Sequence, residues 1–269
     1  MTVTRPIDSG PPTNRGSAAV VAALAGRGLI RMRRLPSIAI PMVVMPVFFV
    51  VAFSGSFAAA VQIEGYGTDK AVNFMAAWAA LQGAAFAGVG AGGVAATDLE
   101  NGFFDRLRMA PVAQASIVGG LLGYSLARSL LPVTAVLAVA FALLDADMPG
   151  GLLGLLMVYL SSLGVAIVMS LAALSLVFTL KTFESIGLVQ IFIFSLMFLS
   201  VGQAPLVAIE GWLHAVATIN PMTRIIQMAR QGFLGDVTWA ATWPGLVALG
   251  AMIAFFTITA LWRLHKVTG

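Results

Sequence analysis

The sequence contains few side chains whose type and spacing suit catalysis or metal binding. It has no cysteine, and its two histidines, His214 and His265, are far apart. Disulfides, thiolate nucleophiles and cysteine metal sites are therefore excluded. The patterns Gly-x-Ser-x-Gly, His-Glu-x-x-His and Gly-x-x-x-x-Gly-Lys-Ser/Thr are also absent. These absences argue against an enzyme and against a nucleotide, cofactor or metal site on this chain.

The most informative polar stretch is residues 97–111, Thr-Asp-Leu-Glu-Asn-Gly-Phe-Phe-Asp-Arg-Leu-Arg-Met-Ala-Pro. Thr97 and Glu100 fit a capping box, which predicts that a short helix begins there. Pro111 would stop that helix. Three apolar side chains within it share one face at i, i+1 and i+4, namely Phe103, Phe104 and Leu107. Two interpretations remain open, a connector that skims a membrane and a helix that docks into a soluble protein.

Arg128 is the one charged residue within an otherwise apolar run. A guanidinium at mid-membrane costs about 2.5–3.5 kcal/mol on insertion scales unless it is paired or reaches the headgroups. Three interpretations follow: a buried pair with an acid such as Glu100 or Glu184, snorkelling to the inner headgroups, or contact with a substrate.

Lipid must solvate much of this chain. Charged residues make up 10% of the 269 residues and hydrophobic residues 59%, and the mean hydropathy is +0.97. An ordinary soluble domain carries about 25% charged residues. The net charge of +4 is small for this length, so nucleic acid is not an expected partner.

Charges divide the sequence into six apolar runs, each long enough to cross a bilayer as a helix. The predicted spans are about 37–59, 73–96, 116–143, 151–179, 185–205 and 240–262. The sequence thus predicts an all-α integral membrane protein with six transmembrane helices. Lysine and arginine favour cytoplasmic segments. With both termini in the cytoplasm, eleven of the fifteen basic residues lie inside: Arg5, Arg15, Arg27, Arg31, Arg33, Arg34, Arg106, Arg108, Lys181, Arg263 and Lys266.

Three segments outside the spans complete this prediction. Residues 1–16 are rich in Pro, Gly, Ser and Thr and are typical of a disordered cytoplasmic tail. Residues 17–35 form an amphipathic pattern that favours an interfacial helix, with Arg27, Arg31 and Arg34 on one strip facing anionic headgroups. Between spans five and six, residues 206–236 are too long for a simple loop and fit a helix pair that re-enters the outer leaflet.

Several of these segments together resemble the membrane subunits of ABC-2 type transporters, including the daunorubicin-resistance-type drug exporters. The resemblance lies in the order of the motifs and their placement on the two sides of the membrane. The matching segments are Asp98-Leu99-Glu100-Asn101-Gly102 with Arg106-Leu107-Arg108-Met109-Ala110-Pro111, Gly120 to Arg128, Phe194 to Ser200 with Pro205 and Trp212-Leu213, and Ile219-Asn220-Pro221-Met222-Thr223 with Arg230. The chain departs from the family pattern at residues 200–205, so the resemblance leaves the substrate open.

The resemblance implies a bacterial plasma-membrane exporter in which a separate cytoplasmic ABC ATPase subunit binds ATP and Mg²⁺. Two permease chains, identical or related, would assemble with two ATPase chains. The segment between spans two and three would be the coupling helix, which contacts the ATPase through Asp98, Glu100, Phe103, Phe104, Arg106, Leu107 and Arg108. Closure of the ATPases would then rock the spans and move a hydrophobic or amphiphilic compound, drug-like or lipid, outward.

The fifth predicted span offers a mixture of side chains that suits a promiscuous path for amphiphiles. With Arg128, the candidate pathway residues are Ser195, Met197, Phe198 and Gln203. A plain helix-packing surface explains the same residues equally well. Gly88 and Gly92 have the spacing of small residues that allow close helix packing.

Two other functional classes remain as alternatives. An ion-coupled secondary transporter would be expected to carry acids inside the membrane, and the predicted spans contain no Asp or Glu. A channel or structural subunit without an ATPase partner is compatible with the sequence.

Overall fold

The computed structural model describes residues 14–34, 36–63, 65–103 and 113–268. These residues form nine α-helices and no strand, with short 3₁₀ turns at Ala60–Gln62 and Leu206–Ala208. In chain order the helices are α1 Asn14–Arg34, α2 Pro36–Ser56, α3 Ala71–Glu100, α4 Gln114–Leu143, α5 Gly151–Leu180, α6 Ser185–Phe198, α7 Gly211–Ile219, α8 Pro221–Leu234 and α9 Trp239–Thr268. The tail predicted over 1–16 lies mostly outside the described residues, although α1 already includes 14–16.

Four of these helices, α3, α4, α5 and α9, are long and apolar enough to cross a bilayer. They confirm four of the predicted spans to within a few residues, and the chain is a multi-pass membrane protein. The helices α2 and α6 coincide with the other two predicted spans but are shorter in their apolar part. The helix α6 ends at Phe198, where the prediction continued to 205. Beyond the C-cap residue Leu199, residues 200–205 follow as a non-helical stretch that contains Gly202 and Pro205.

The central helix of the bundle is α3, which packs against α2, α4, α5, α6 and α8. Small residues allow this. A Cβ added at Gly88 would lie 2.7 Å from the carbonyl oxygen of Ala166 on α5, and one added at Gly92 would lie 2.7 Å from the Cβ of Ala173. Gly88 and Gly92 therefore serve close helix packing, as their spacing predicted.

Cross-helix contacts define two ends of the bundle. The helices α3 and α5 run in the same direction, because Gly88 and Gly92 lie against Ala166 and Ala173 in that order. The helices α5 and α9 do so as well, because Gly164 lies against Leu249 and Ser175 bonds to Thr259. The C-terminal ends of these three helices meet α1 at what we call the basic end, which carries Arg27, Arg31, Arg33, Arg34, Lys181, Arg263 and Lys266.

At the opposite end, which we call the far end, Lys70 Nζ lies 2.7 Å from Asp145 Oδ2 and 2.8 Å from Asp147 Oδ2. The hydrogen bond to Asp145, followed by that to Asp147, raises the pKa of the Lys70 ammonium. The same bond lowers the pKa of Asp145. These charges join the start of α3 to the loop that precedes α5.

The helix α1 packs on α4 along the apolar face that the sequence predicted. A Cβ at Gly120 would lie 2.6 Å from Leu24 Cβ, and one at Gly28 would lie 2.6 Å from the Tyr124 ring. Because Gly28 and Gly120 have no side chain, the Tyr124 ring and Leu24 pack directly against the backbone of the opposite helix. The position of α1 is fixed by protein contacts as well as by its amphipathic pattern.

The capping box assigned to Thr97 and Glu100 is wrong. Both residues belong to the last turn of α3, where Thr97 Oγ1 donates to the carbonyl of Gly93 at 2.9 Å. The helix ends because Gly102 takes a left-handed conformation, with φ of 65°, that lets its N–H donate to the carbonyl of Leu99 at 3.1 Å. Residues 104–112, which hold most of the predicted coupling helix, lie outside the described residues.

Candidate functional site

A cavity of about 450 Å³ opens beside α3 toward the basic end of the bundle. This volume is within the range of small-molecule sites. Its walls come from α1, α2, α3, α4 and α6, and the described residues that line it are Arg31, Met32, Pro41, Met42, Met45, Phe86, Val89, Gly90, Gly93, Val94, Thr97, Tyr124, Arg128, Phe183, Ile186, Gln190 and Phe194.

One stripe of α3 forms the floor of this cavity. Between residues 71 and 97 every residue of α3 is buried except Phe86, Gly90, Gly93 and Thr97, which are partly exposed. Their spacing of i, i+4, i+7 and i+11 places them on one helix face. The glycine-rich run 88–93 therefore has two roles. Gly88 and Gly92 pack on α5, and Gly90 and Gly93 leave space for the cavity on the neighbouring face.

The mouth of the cavity lies between α2 and α6. Pro41 and Met45 on α2 are exposed, as are Gln190 and Phe194 on α6. In a bilayer, a gap between two such apolar helices opens sideways. The cavity is thus positioned to receive a molecule from the side of the bundle.

Arg128 reaches this cavity from α4 and is only 5% exposed. Its Nη1 donates to Tyr124 Oη at 3.0 Å, and its Nε lies 2.8 Å from Met42 Sδ. The guanidinium occupies the space beside Gly90, where an added Cβ would overlap Nη1. The Arg128 side chain is therefore held within the bundle, between α2, α3 and its own helix.

The predicted interfacial and coupling residues meet at the basic end. Arg27 forms an ion pair with Asp98, and its guanidinium carbon lies 4.2 Å above the Phe103 ring. Asp98 is buried and is already engaged within this chain. Arg31 Nη2 lies 3.5 Å from Thr97 Oγ1. These contacts fix α1 against the last turn of α3.

Other predicted residues at this end are placed differently. Glu100 Oε1 accepts a hydrogen bond from the backbone N–H of Phe183 at 3.2 Å, which joins the end of α3 to the turn between α5 and α6. Arg34 is exposed at the end of α1. The remaining coupling candidates, Phe104, Arg106, Leu107 and Arg108, fall outside the described residues.

The structure does not bring the other pathway candidates to Arg128. Met197 is buried, and Ser195 is exposed and bonds back to the Ile191 carbonyl at 2.9 Å. The Phe198 ring packs 5.3 Å from Trp78. The carbonyl of Gln203 accepts from Tyr66 Oη at 3.3 Å. The face of α6 that lines the cavity instead carries Gln190 and Phe194, and only the helix register, which composition does not reveal, distinguishes the two faces.

Arg230 is a second buried arginine that the sequence analysis placed in an outer segment. It is 3% exposed and donates three hydrogen bonds to backbone carbonyls: Nε to Phe74 at 2.8 Å, Nη1 to Val201 at 2.9 Å and Nη2 to Gly202 at 2.7 Å. Residues 199–205, which follow α6, are non-helical, and Arg230 satisfies the carbonyls of Val201 and Gly202, which have no place in a helical ladder. In the sequence, Arg230 was indicated only by its position after the segment Ile219 to Thr223, with which it resembles a family motif.

Asn220 complements Arg230 at the same place. Its Nδ2 donates to the carbonyls of Leu196 and Leu199 at 2.8 and 2.9 Å, and its Oδ1 accepts from the Met222 N–H at 2.9 Å. Asn220 therefore caps α8 and also ties down the C-terminal turn of α6. The predicted helix pair over 206–236 is present as α7 and α8.

Within the described residues, no cluster of three or more histidine, aspartate or glutamate side chains is arranged to hold a metal ion. The strongest chemical feature of this part of the chain is thus the cavity, in which two arginines face apolar walls.

Comparison with known proteins places these features in context. Residues 19–234 match the family model described as ABC-2 type transporter. A relative, the daunorubicin resistance ABC transporter permease protein DrrB1 of Streptomyces coeruleorubidus, is 27% identical over 244 residues, which cover 89% of this chain and 83% of that protein. The match includes α1 to α8 and therefore the whole cavity.

Proposed function

The chain belongs to the ABC-2 type transporter family, and from this premise we propose that it is the membrane-spanning subunit of an ATP-driven exporter. The observation that carries the proposal is the family match over residues 19–234. In this proposal the chain provides the path for a hydrophobic or amphiphilic compound, drug-like or lipid. ATP and Mg²⁺ bind to a separate ABC ATPase, and this chain is a transport subunit without catalytic activity of its own.

The proposed topology has six crossings with both termini in the cytoplasm of a bacterial cell. The four long helices supply four crossings. We assign the fifth to α2, whose 21 residues extend about 31 Å. We assign the last to α6 with the non-helical stretch that follows, because the 14 residues of α6 extend only about 21 Å. Lysine and arginine at the basic end support a cytoplasmic position for that end.

The ATPase is proposed to dock at the basic end, on the connection between α3 and α4. The interfacial helix α1 lies beside it, since Arg27 pairs with Asp98 and covers Phe103. A push on this connection would be transmitted to α1, and from Gly28 to Tyr124 and Arg128 in the cavity. A mechanical route thus joins the docking region to the proposed substrate path.

A second permease chain, identical or related, is proposed to complete the transporter. Large apolar side chains are exposed on α2, at Ile40, Val44 and Phe48, and on α9, at Phe255, Ile258 and Trp262. Such faces require lipid or another transmembrane surface. The gap between α2 and α6 would then open toward lipid or toward the second chain.

Copurification with an ATPase tests the proposal. The chain is coexpressed with the ABC ATPase encoded beside it, isolated in mild detergent and assayed for ATP hydrolysis. Wild type is expected to retain the ATPase, and Phe104→Asp and Leu107→Asp are expected to release it, because a charge replaces an apolar docking surface. Ile63→Asp, which places the same charge on an exposed residue at the far end, is the matched control and should retain it. Wild type that binds no ATPase under any of several detergents would contradict the proposal and favour an ion-coupled transporter or a channel.

A further inference from the structure

The charged side chains that line the cavity beside α3 are all basic among the described residues. Arg31 and Arg128 both line it, and none of its described lining residues is acidic. Neither acid that is close in sequence to its floor lines it. Asp98 pairs with Arg27 and also interacts electrostatically with Arg31, and Glu100 accepts a hydrogen bond from the Phe183 N–H. A group that enters this cavity therefore meets two guanidinium groups among apolar walls, of which that of Arg31 is partly offset by Asp98, in a medium of low dielectric constant where charge has a large effect.

The polar and apolar parts of the cavity are separated along the helix axis. Arg31 and Thr97 are in contact at the end nearest the basic end, at 3.5 Å, and Phe86 and Phe194 close the other end, with ring centroids 5.6 Å apart. From Thr97 to Phe86, eleven residues of α3 extend about 16 Å. Arg128 lies between these ends, beside Gly90.

The apolar wall is built from side chains that adapt in shape. Met42 and Met45 contribute unbranched thioethers, and Phe86 and Phe194 contribute rings. Methionine fills irregular space and suits a flexible hydrocarbon chain. The mouth between α2 and α6 is exposed to the side of the bundle, so a molecule embedded in a bilayer reaches it without crossing water.

We propose that this cavity binds an amphiphile with an anionic headgroup, such as a phosphate or carboxylate, and a hydrocarbon chain. The headgroup lies between Arg31, Thr97 and Arg128, where guanidinium groups donate charge-assisted hydrogen bonds. The chain lies along Met45, Phe86 and Phe194. The proposal narrows the proposed function by naming a class of substrate, and it rests on that function only for the transport that follows binding.

Binding is measured on the purified full-length chain in a neutral detergent, without the ATPase, by native mass spectrometry. The probes are lysophosphatidylglycerol, lysophosphatidylcholine and inorganic phosphate. We expect the anionic lysolipid to bind about tenfold more tightly, or better, than the zwitterionic one, and inorganic phosphate to bind too weakly to detect. Equal affinity for the two lysolipids would overturn the proposal. Phosphate that competes with the lysolipid at equal concentration would also overturn it, because the site would then recognise a free anion.

Substitutions test whether the anionic lysolipid binds in this cavity. Arg31→Gln and Gly90→Ala are each expected to remove most of the preference for the anionic lysolipid, the second because the new methyl group displaces the Arg128 guanidinium. Gly250→Ala on α9 is the matched control, because Gly250 does not line the cavity and its added Cβ would have no neighbour within 4 Å, and it should bind as wild type does. Unchanged preference in both Arg31→Gln and Gly90→Ala would overturn the assignment to this cavity.

This experiment and the copurification with an ATPase fail independently. Loss of anion preference in a chain that still binds its ATPase would overturn the substrate class and leave the exporter proposal intact. Retained preference in a chain that binds no ATPase would leave the lipid site intact and contradict the exporter proposal.

Discussion

At the scale of single residues, buried polar groups carry more of the architecture than their number suggests. Arg230 and Asn220 together donate hydrogen bonds to four backbone carbonyls where the chain leaves α6, and Arg230 donates to a fifth, that of Phe74 on α3. Non-helical backbone at membrane depth is tolerated only where protein groups satisfy it. These two side chains therefore make the irregular stretch after Phe198 compatible with a position inside the bilayer.

Replacement of Arg230 by leucine is expected to reduce the yield of folded protein severely. The substitution leaves the carbonyls of Val201 and Gly202 without their donor, and each buried unsatisfied group costs about 1–3 kcal/mol. Fluorescence-detected size exclusion after heating measures the effect. Arg224→Leu is the control, since Arg224 is exposed on the same helix and bonds only to Gln227 among the described contacts. Equal thermal stability of the two variants would contradict the role assigned to Arg230.

Gln82 presents the opposite case. Its side chain is fully buried in α3, and neither of its amide atoms has a hydrogen-bond partner among the described residues. Because removal of an unsatisfied buried polar group by an apolar side chain of similar shape is neutral or stabilising, we expect Gln82→Met to raise the melting temperature. A fall of several degrees would show that the amide is satisfied, for example by water.

At the scale of helices, the sequence predicts that a helix is present better than it predicts where the helix ends or which helices it contacts. Spans 73–96, 116–143, 151–179 and 240–262 all correspond to long helices, because continuous apolar runs between charges determine them. The sequence analysis took Thr97 and Glu100 for the start of a new helix, whereas they are the last turn of α3. The two residues fit either position, and the left-handed conformation of Gly102, which marks the helix end, is visible only in the structure. The neighbours of each helix, and so the cavity, depend on packing that periodicity does not encode.

The contact between α1 and α4 is a second feature at this scale. A Cβ at Gly123 would lie 3.4 Å from the Cβ of Ala25, close to the separation found in disulfides. Since the chain has no cysteine, Ala25→Cys with Gly123→Cys should form an oxidised cross-link that is visible as a shift on non-reducing gels. Gly26→Cys with Gly123→Cys is the control, because the Cβ of Gly26 has no neighbour within 4 Å. Cross-linking of the control pair to the same extent would indicate that α1 does not dock in this register.

At the scale of the whole molecule, the distribution of charge gives the proposed orientation. Single cysteines in the cysteine-free chain report it by labelling with a membrane-impermeant maleimide in intact cells. Ile219→Cys, exposed at the far end, is expected to react from outside, and Thr179→Cys, exposed near the basic end, is expected to react only after the cells are opened. Labelling in the reverse pattern would contradict the orientation of both termini.

The same scale shows what the sequence alone could establish. Composition predicted a membrane protein and motif order predicted the family, because both are properties of the chain in one dimension. The cavity brings together residues as far apart in the sequence as Arg31 and Phe194. It could not be predicted from the sequence, because it depends on how the helices pack. Arg128 was recognised because a lone charge in an apolar run is conspicuous, whereas Phe86 carries no such signal.

The central claim is that this chain transports only when a separate ATPase supplies the energy. The most direct test is uptake of fluorescent amphiphiles with anionic, neutral and cationic headgroups by inside-out membrane vesicles that contain the permease alone, the ATPase alone or both. Uptake of at least one probe is expected to require ATP and both subunits. It should be lost when the phosphate-binding lysine of the ATPase is replaced, and it should persist when an ionophore collapses the ion gradients. Uptake by the permease alone that follows an ion gradient and ignores ATP would contradict this claim.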